Sequence, residues 1–132
     1  MIKRIDHVAV AVKNLDEAIS TVETLFGLKP SKIKEIPDQG VKAALIPIGD
    51  TEIEFIQPVK PDTGVAKFLE TKGEGIHHIA IEVDDIDAEL KRLEEAGAKL
   101  IDKQGRGGLA GKIGFIHPKS VHGVLIELAQ KV

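Results

Sequence analysis

Gly75-Ile76-His77-His78-Ile79-Ala80-Ile81-Glu82-Val83 decides the fold, because the chain carries a second version of it. Near the N-terminus, Ile5-Asp6-His7-Val8-Ala9-Val10-Ala11-Val12 follows the same grammar: a His, a β-branched residue, an Ala, another β-branched residue, one more position, then Val. Aligning them puts His7 on His78, an offset of 71. The next stretch follows suit, with Lys13-Asn14-Leu15-Asp16-Glu17-Ala18 against Asp84-Asp85-Ile86-Asp87-Ala88-Glu89. At the far end, Ile53-Glu54-Phe55 matches Ile126-Glu127-Leu128 at an offset of 73. One module is used twice, with a His on its first strand and a Glu on its last.

Strict alternation over 3–12 sends Val8, Val10 and Val12 to one side and His7, Ala9 and Ala11 to the other. The Val face calls for a helix. The small residues beside His7 leave space over the strand. Asn14 and Glu17 make a capping box for that helix. Leu15, Ala18, Ile19, Val22, Leu25 and Phe26 keep helical spacing, and Gly27 stops it. Residues 28–36, 41–48 and 51–57 read as strands, so the first module is β-α-β-β-β. In the third of these, Ile53 and Phe55 share a face, while Glu52, Glu54 and Ile56 share the opposite one.

Residues 58–64 are a Pro/Asp/Gly linker and 65–70 a short helix. The second module opens at Gly75, with Ile79, Ile81 and Val83 on one face and His78, Ala80 and Glu82 on the other. Asp85 caps a helix whose buried side is Ile86, Leu90, Leu93 and Ala96. Strands are predicted at 98–102, 112–117 and 123–129, and the glycine-rich 105–111 as a mobile loop, either a lid or a solvated loop. It is not a phosphate loop, because the strand–GxxxxGK[ST]–helix order is missing. The fold class is α+β: paired βαβββ modules forming a cupped mixed sheet with helices on its outer face. The expected organisation is a single domain over 1–132, with modules at about 1–57 and 75–132 joined by a linker, 58–74.

Composition narrows the function. The chain has 132 residues, 42% hydrophobic and 30% charged, as in an ordinary globular protein. A net charge of −3 without a basic stripe gives no footprint for nucleic acid. No apolar run is long enough to span a membrane, no signal peptide is visible, and the cytoplasm is the expected compartment. Cysteine is absent, so thiolate chemistry and cysteine-based zinc sites are excluded. Plentiful Lys, Glu and Ile with little Met or aromatic content is a make-up common among hyperthermophile proteins.

The chemistry-bearing set is His7, Glu54, His78 and Glu127. Both His and both Glu sit on the face opposite the helix in their modules. A Glu among strand hydrophobics needs a partner. Two imidazoles with two carboxylates suit one borderline divalent ion per chain, Co²⁺ first, with Zn²⁺, Mn²⁺ and Ni²⁺ as alternatives. Four such ligands leave about two octahedral positions for substrate or water. His77 has the wrong parity and is expected to face the helix side or a loop. His117 either lines the cleft or caps a turn, and His122 belongs in a surface turn. Arg106, Lys112 and Lys119 are expected to be solvated.

These features resemble the vicinal-oxygen-chelate superfamily, whose paired βαβββ modules form a cup around a divalent metal. Within it the sequence is similar to the methylmalonyl-CoA epimerase family. The similarity rests on Ile5-Asp6-His7-Val8-Ala9, His77-His78-Ile79-Ala80, Phe115-Ile116-His117-Pro118-Lys119-Ser120 and Gly123-Val124-Leu125-Ile126-Glu127-Leu128. Gln39-Gly40-Val41 and Val65-Ala66-Lys67-Phe68-Leu69 also fit.

The resemblance implies interconversion of (2R)- and (2S)-methylmalonyl-CoA by 1,1-proton transfer through a metal-stabilised enolate, an acyl-CoA thioester as substrate, and a homodimer. Inversion requires acid–base groups on both sides of the α-carbon. Glu127 is the first candidate; the second is Glu54 released from the metal, or a bound water. Some bacterial members carry a Glu on the third strand as one base and a Gln at the position of Glu54; this chain has Ala43 and Glu54 there. The alternatives are a glyoxalase I-like lactoylglutathione lyase with the same ligand types, and a non-catalytic small-molecule-binding protein of the same fold. Extradiol dioxygenases, with three ligands and usually longer chains, fit less well.

Overall fold

A computed structural model describes residues 1–108 and 111–131. The fold is α+β, with parallel and antiparallel strand pairings. By packing the chain divides into two compact units, one of His7–His77 and one of Met1–Asp6 with His78–Val132. Strand β1 (Ile2–Ala11) contributes to both.

The His7–His77 unit continues with α1 (Leu15–Phe26), β2 (Lys32–Ile36), β3 (Val41–Ile48), β4 (Thr51–Pro58) and α2 (Gly64–Lys72). Its strands lie in the order β2-β3-β4-β1, with β1 parallel to β4 and the other pairs antiparallel. Asn14 Oδ1 accepts the Glu17 N–H at 3.0 Å, and Gly27 ends α1 at φ 68°. That left-handed value suits a residue without Cβ. Val12, Leu15, Val22, Ala44, Ile46 and Phe55 form the core between α1 and the sheet, with Ile53 packed against them. The β1 and β4 faces are thus as the alternation predicts.

Three expectations change in this unit. Leu25 and Phe26 are 67% and 69% exposed, so the apolar stripe of α1 is buried only through Val22. The strand predicted from residue 28 starts at Lys32. The Leu28 N–H turns back to the Val22 carbonyl, and Pro30 has no N–H to give a ladder. The space expected over Ala9 and Ala11 is partly filled: Ala9, Ala11, Ala43 and Ile56 pack with Val65, Phe68 and Leu69 of α2.

The other unit contains β5 (Gly75–Val83, from His78), α3 (Ile86–Glu95), β6 (Arg106–Gly107), β7 (Gly111–Ile116) and β8 (Ile126–Lys131), ordered β5-β8-β7-β6. Again the first and last strands pair in parallel. Asp85 Oδ1 accepts the Ala88 N–H, and Ile86, Leu90, Val83, Ile116, Ile126 and Leu128 make the core. The opening residues join this unit through ions: Arg4 Nε to Glu82 at 2.8 Å, Lys131 Nζ to Asp6 at 2.6 Å, and the Met1 amine to Glu89 at 2.8 Å.

Here too the structure amends the sequence reading. Ala96 is exposed, as the C-cap of α3. Residues 98–102 make no regular strand. Only Leu100 bridges to Ile116, both the Ile101 and Asp102 N–H groups point at the Phe115 carbonyl, and Asp102 Oδ2 accepts the Phe115 N–H that a ladder would use. Arg106 and Gly107 pair with Ile113 and Lys112 as β6, so the predicted mobile loop begins as sheet. Leu109 and Ala110, part of that predicted loop, lie outside the described residues. The last strand starts at Ile126, because Gly123 and Val124 turn back to Pro118 and Val121.

Candidate metal centre and active site

Each unit presents one His–Glu pair, built the same way. In the first, the register sets Ala9 beside Glu54, and His7 lies two residues before Ala9 on the same face. In the second, Ala80 stands beside Glu127, and His78 lies two residues before Ala80. Both Ala residues are fully buried, so nothing larger than a methyl separates His from Glu across the strand pair. His7 Nε2 lies 3.4 Å from Glu54 Oε1, and His78 Nε2 lies 3.2 Å from Glu127 Oε1. All four side chains are about nine-tenths buried.

These distances also answer whether the residues suit a metal. Two donors on one ion, each bonded at about 2.1 Å, stand about 3.0–3.4 Å apart for octahedral to tetrahedral angles. Both pairs fall there. Imidazole nitrogen and carboxylate oxygen are donors that a borderline divalent ion accepts.

The remaining histidines sort cleanly. His77 packs edge-on against Phe68 of α2, with centroids 5.1 Å apart. His117 caps the turn that follows it: Nδ1 accepts the Lys119 N–H at 3.0 Å. His122 is exposed in that turn at φ 55°. Arg106 pairs with Asp102 and lies over the Phe115 ring, while Lys112 reaches Asp87 at 3.6 Å. Phe115, the cross-strand partner of Glu127, stands edge-on to the His78 ring at 5.5 Å and fixes its plane. Ala43 faces Ile56 and is 2% exposed, within the small-residue cluster under α2.

Two residues escaped the sequence reading. Gln57 Oε1 accepts the Leu15 N–H at 2.7 Å, and Gln130 Oε1 accepts the Ile86 N–H at 2.9 Å. Leu15 and Ile86 are the first residues of α1 and α3, whose N–H groups have no partner within the helix. Each Gln follows its Glu by three residues, so it points to the helix side of the same strand. It ties the helix to the strand that carries the carboxylate. The signal was in the repeat, which continues from Glu54 and Glu127 to Gln57 and Gln130 at the same offset of 73.

The sequence profile of the Glyoxalase/Bleomycin resistance protein/Dioxygenase superfamily matches residues 6–116. The chain belongs to this superfamily. Among its relatives here, the ethylmalonyl-CoA/methylmalonyl-CoA epimerase of Cereibacter sphaeroides is 39% identical over 133 residues, covering 98% of this chain and 99% of that protein. The mitochondrial methylmalonyl-CoA epimerase of Homo sapiens is 36% identical, covering 96% of this chain and 73% of that protein. A solved structure, a single-residue Ser-to-Thr variant of Streptomyces coelicolor methylmalonyl-CoA epimerase in complex with 2-nitronate-propionyl-CoA, aligns at a TM-score of 0.95 with 32% identity. It covers all of this chain, and this chain covers 96% of it.

Proposed function

We propose that the chain is a metal-dependent epimerase that interconverts (2R)- and (2S)-methylmalonyl-CoA. The observation that carries this reading is similarity along nearly the whole chain to epimerases of that name, with a His–Glu pair in each half. The ligand in the Streptomyces coelicolor structure adds chemical support. A nitronate is planar and anionic next to the carbonyl, as is the enolate left when a C2 proton departs.

The two modules work as a single domain, about 1–57 and 75–132 with the linker 58–74. His7, Glu54, His78 and Glu127 are the residues that would hold one divalent ion, with Co²⁺ foremost; the donor set is the support. Such an ion, when bound, supplies Lewis-acid stabilisation of enolate charge. The carboxylates supply acid–base chemistry. Glu127 takes the C2 proton from one side, and the proton returned on the other comes from a bound water or from Glu54 once it is released from the ion and protonated by solvent. Phe115 holds the His78 ring in place, and burial of the pairs keeps water from competing for the carboxylates. The expected setting is a cytoplasmic homodimer. Among the described residues no helix is long and apolar enough to cross a membrane.

The test is exchange of the C2 proton of methylmalonyl-CoA for deuterium, followed by NMR with Co²⁺ supplied. Exchange by the wild type, strongly reduced in Glu127→Gln, is expected. No exchange by wild type sinks the epimerase, and near-normal exchange in Glu127→Gln removes Glu127 from the proton transfer. Metal analysis of purified protein should find about one divalent ion per chain, lost in His7→Ala and in His78→Ala.

A further inference from the structure

Strand β2 carries Lys32 and Lys34 on the sheet face that bears His7 and Glu54. The register fixes this without reference to rotamers. Lys32 pairs with Leu45, Leu45 with Glu54, and Glu54 with Ala9. Lys34 pairs with Ala43, Ala43 with Ile56, and Ile56 with Ala11. Partners directly across a ladder project from the same face. Ile36, two residues after Lys34, confirms the parity by packing into the cluster of Ala9, Ala11, Ala43 and Ile56.

Within this unit β2 is the outermost strand, and both lysines are exposed. Glu35, between them in sequence, points to the other face. Among the described residues neither ammonium is within ion-pair distance of a carboxylate. The two ammonium groups instead crowd each other, and the contact with Lys32 holds Lys34 below its ordinary pKa. An anion between them would relieve that repulsion.

We propose that Lys32 and Lys34 form an anion anchor for the phosphate end of the acyl-CoA substrate. The proposal rests on the acyl-CoA reading above. Two strand spacings separate Glu54 from Lys32, about 10 Å at 4.8 Å each. A pantetheine arm with two amide groups, equivalent to about four extended residues, reaches about 13 Å. A thioester reacting over Glu54 therefore has its first phosphates within reach of β2. Flexible ammonium groups on an open edge suit a phosphate pair, which asks for charge more than for a fixed fork. A lysine-bearing edge also discourages edge-to-edge pairing. That role needs charge of either sign and no CoA, so the two roles separate experimentally.

The experiment compares methylmalonyl-CoA with methylmalonyl-pantetheine, which has the same reacting end and no phosphate. Wild type should show a lower KM for the CoA thioester. In Lys32→Ala/Lys34→Ala the ratio of the two KM values should fall about tenfold, and further in Lys32→Glu/Lys34→Glu, while Lys32→Arg/Lys34→Arg should restore it. Raising the salt should erode the wild-type preference more than that of the alanine variant. If the variants keep the wild-type ratio, the anchor is wrong and the epimerase stands. If wild type exchanges the C2 proton of neither thioester, the acyl-CoA reading fails and takes the anchor with it.

Discussion

Replacing Gln130 by Leu tests the tie between helix and carboxylate strand. Gln130 accepts the Ile86 N–H at 2.9 Å, and Ile86 is fully buried, so water cannot easily take the place of the lost acceptor. The hydrogen bond itself is worth about 1 kcal/mol net, and a stranded buried donor costs about 1–3 kcal/mol. Losing a cap at this end of a helix typically costs about 1 kcal/mol. Leu is close to Gln in size, so the packing change is small. The expected loss is therefore about 2 kcal/mol. In urea this moves the midpoint down by about 1 M for an m-value near 2 kcal/mol/M. In a thermal scan it lowers Tm by about 5–8 °C. Gln130→Glu supplies the internal control. It keeps an acceptor oxygen in place and puts negative charge at the positive end of α3, which is worth about 0.3–1 kcal/mol in favour of folding. Gln130→Glu should match or exceed wild type near neutral pH. Equilibrium urea unfolding followed by circular dichroism is the assay. A Gln130→Leu midpoint within about 0.2 M of wild type, or a Gln130→Glu protein as weak as Gln130→Leu, would falsify the argument. The repeat makes Gln57→Leu an independent replicate at the start of α1, where the Leu15 N–H loses its acceptor at 2.7 Å.

Further outcomes follow from the packing and the ion pairs. Leu90, fully buried in the core under α3, should cost about 2–5 kcal/mol when cut to Ala, read by the same urea titration. Gly111 faces the Gln130 carbonyl so closely that an added Cβ would overlap backbone. Gly111→Ala should therefore destabilise by about 1–3 kcal/mol and expose β7–β8 amides in hydrogen exchange; unchanged protection there would show that the pairing is looser. Hydrogen bonds from the Met1 amine and then from Arg92 hold the Glu89 carboxyl below its ordinary 4.5, outweighing the opposite effect of burial. A carboxyl lowered in the folded state stabilises above its unfolded value, and that contribution is lost as the pH falls through the folded one. Glu89→Gln should thus melt below wild type at neutral pH, with the gap closing as pH drops past 4.5. A gap that stays constant down to about pH 3 would show that the carboxylate charge is not what matters.

The sequence by itself determined the duplicated module, the face each His and Glu occupies, and the helix starts at Asn14 and Asp85. The duplication shows in matched segments at offsets of 71 and 73. The faces and helix starts follow from period and capping chemistry, which are local: a residue's parity in a strand depends only on its neighbours in the chain. The Gln57/Gln130 tie was legible in the same repeat, since both residues keep the offset of the two Glu. Tertiary structure alone decided what depends on which distant segment arrives. Val65, Phe68 and Leu69 occupy the room left by Ala9, Ala11 and Ala43, and a row of small residues does not say what will cover it. Asp102 satisfies the Phe115 N–H with a side chain and dissolves the strand predicted at 98–102. Lys32 and Lys34 join the row of Glu54 only through the β2–β3–β4 register, where a slip of one residue would have turned both to the opposite face.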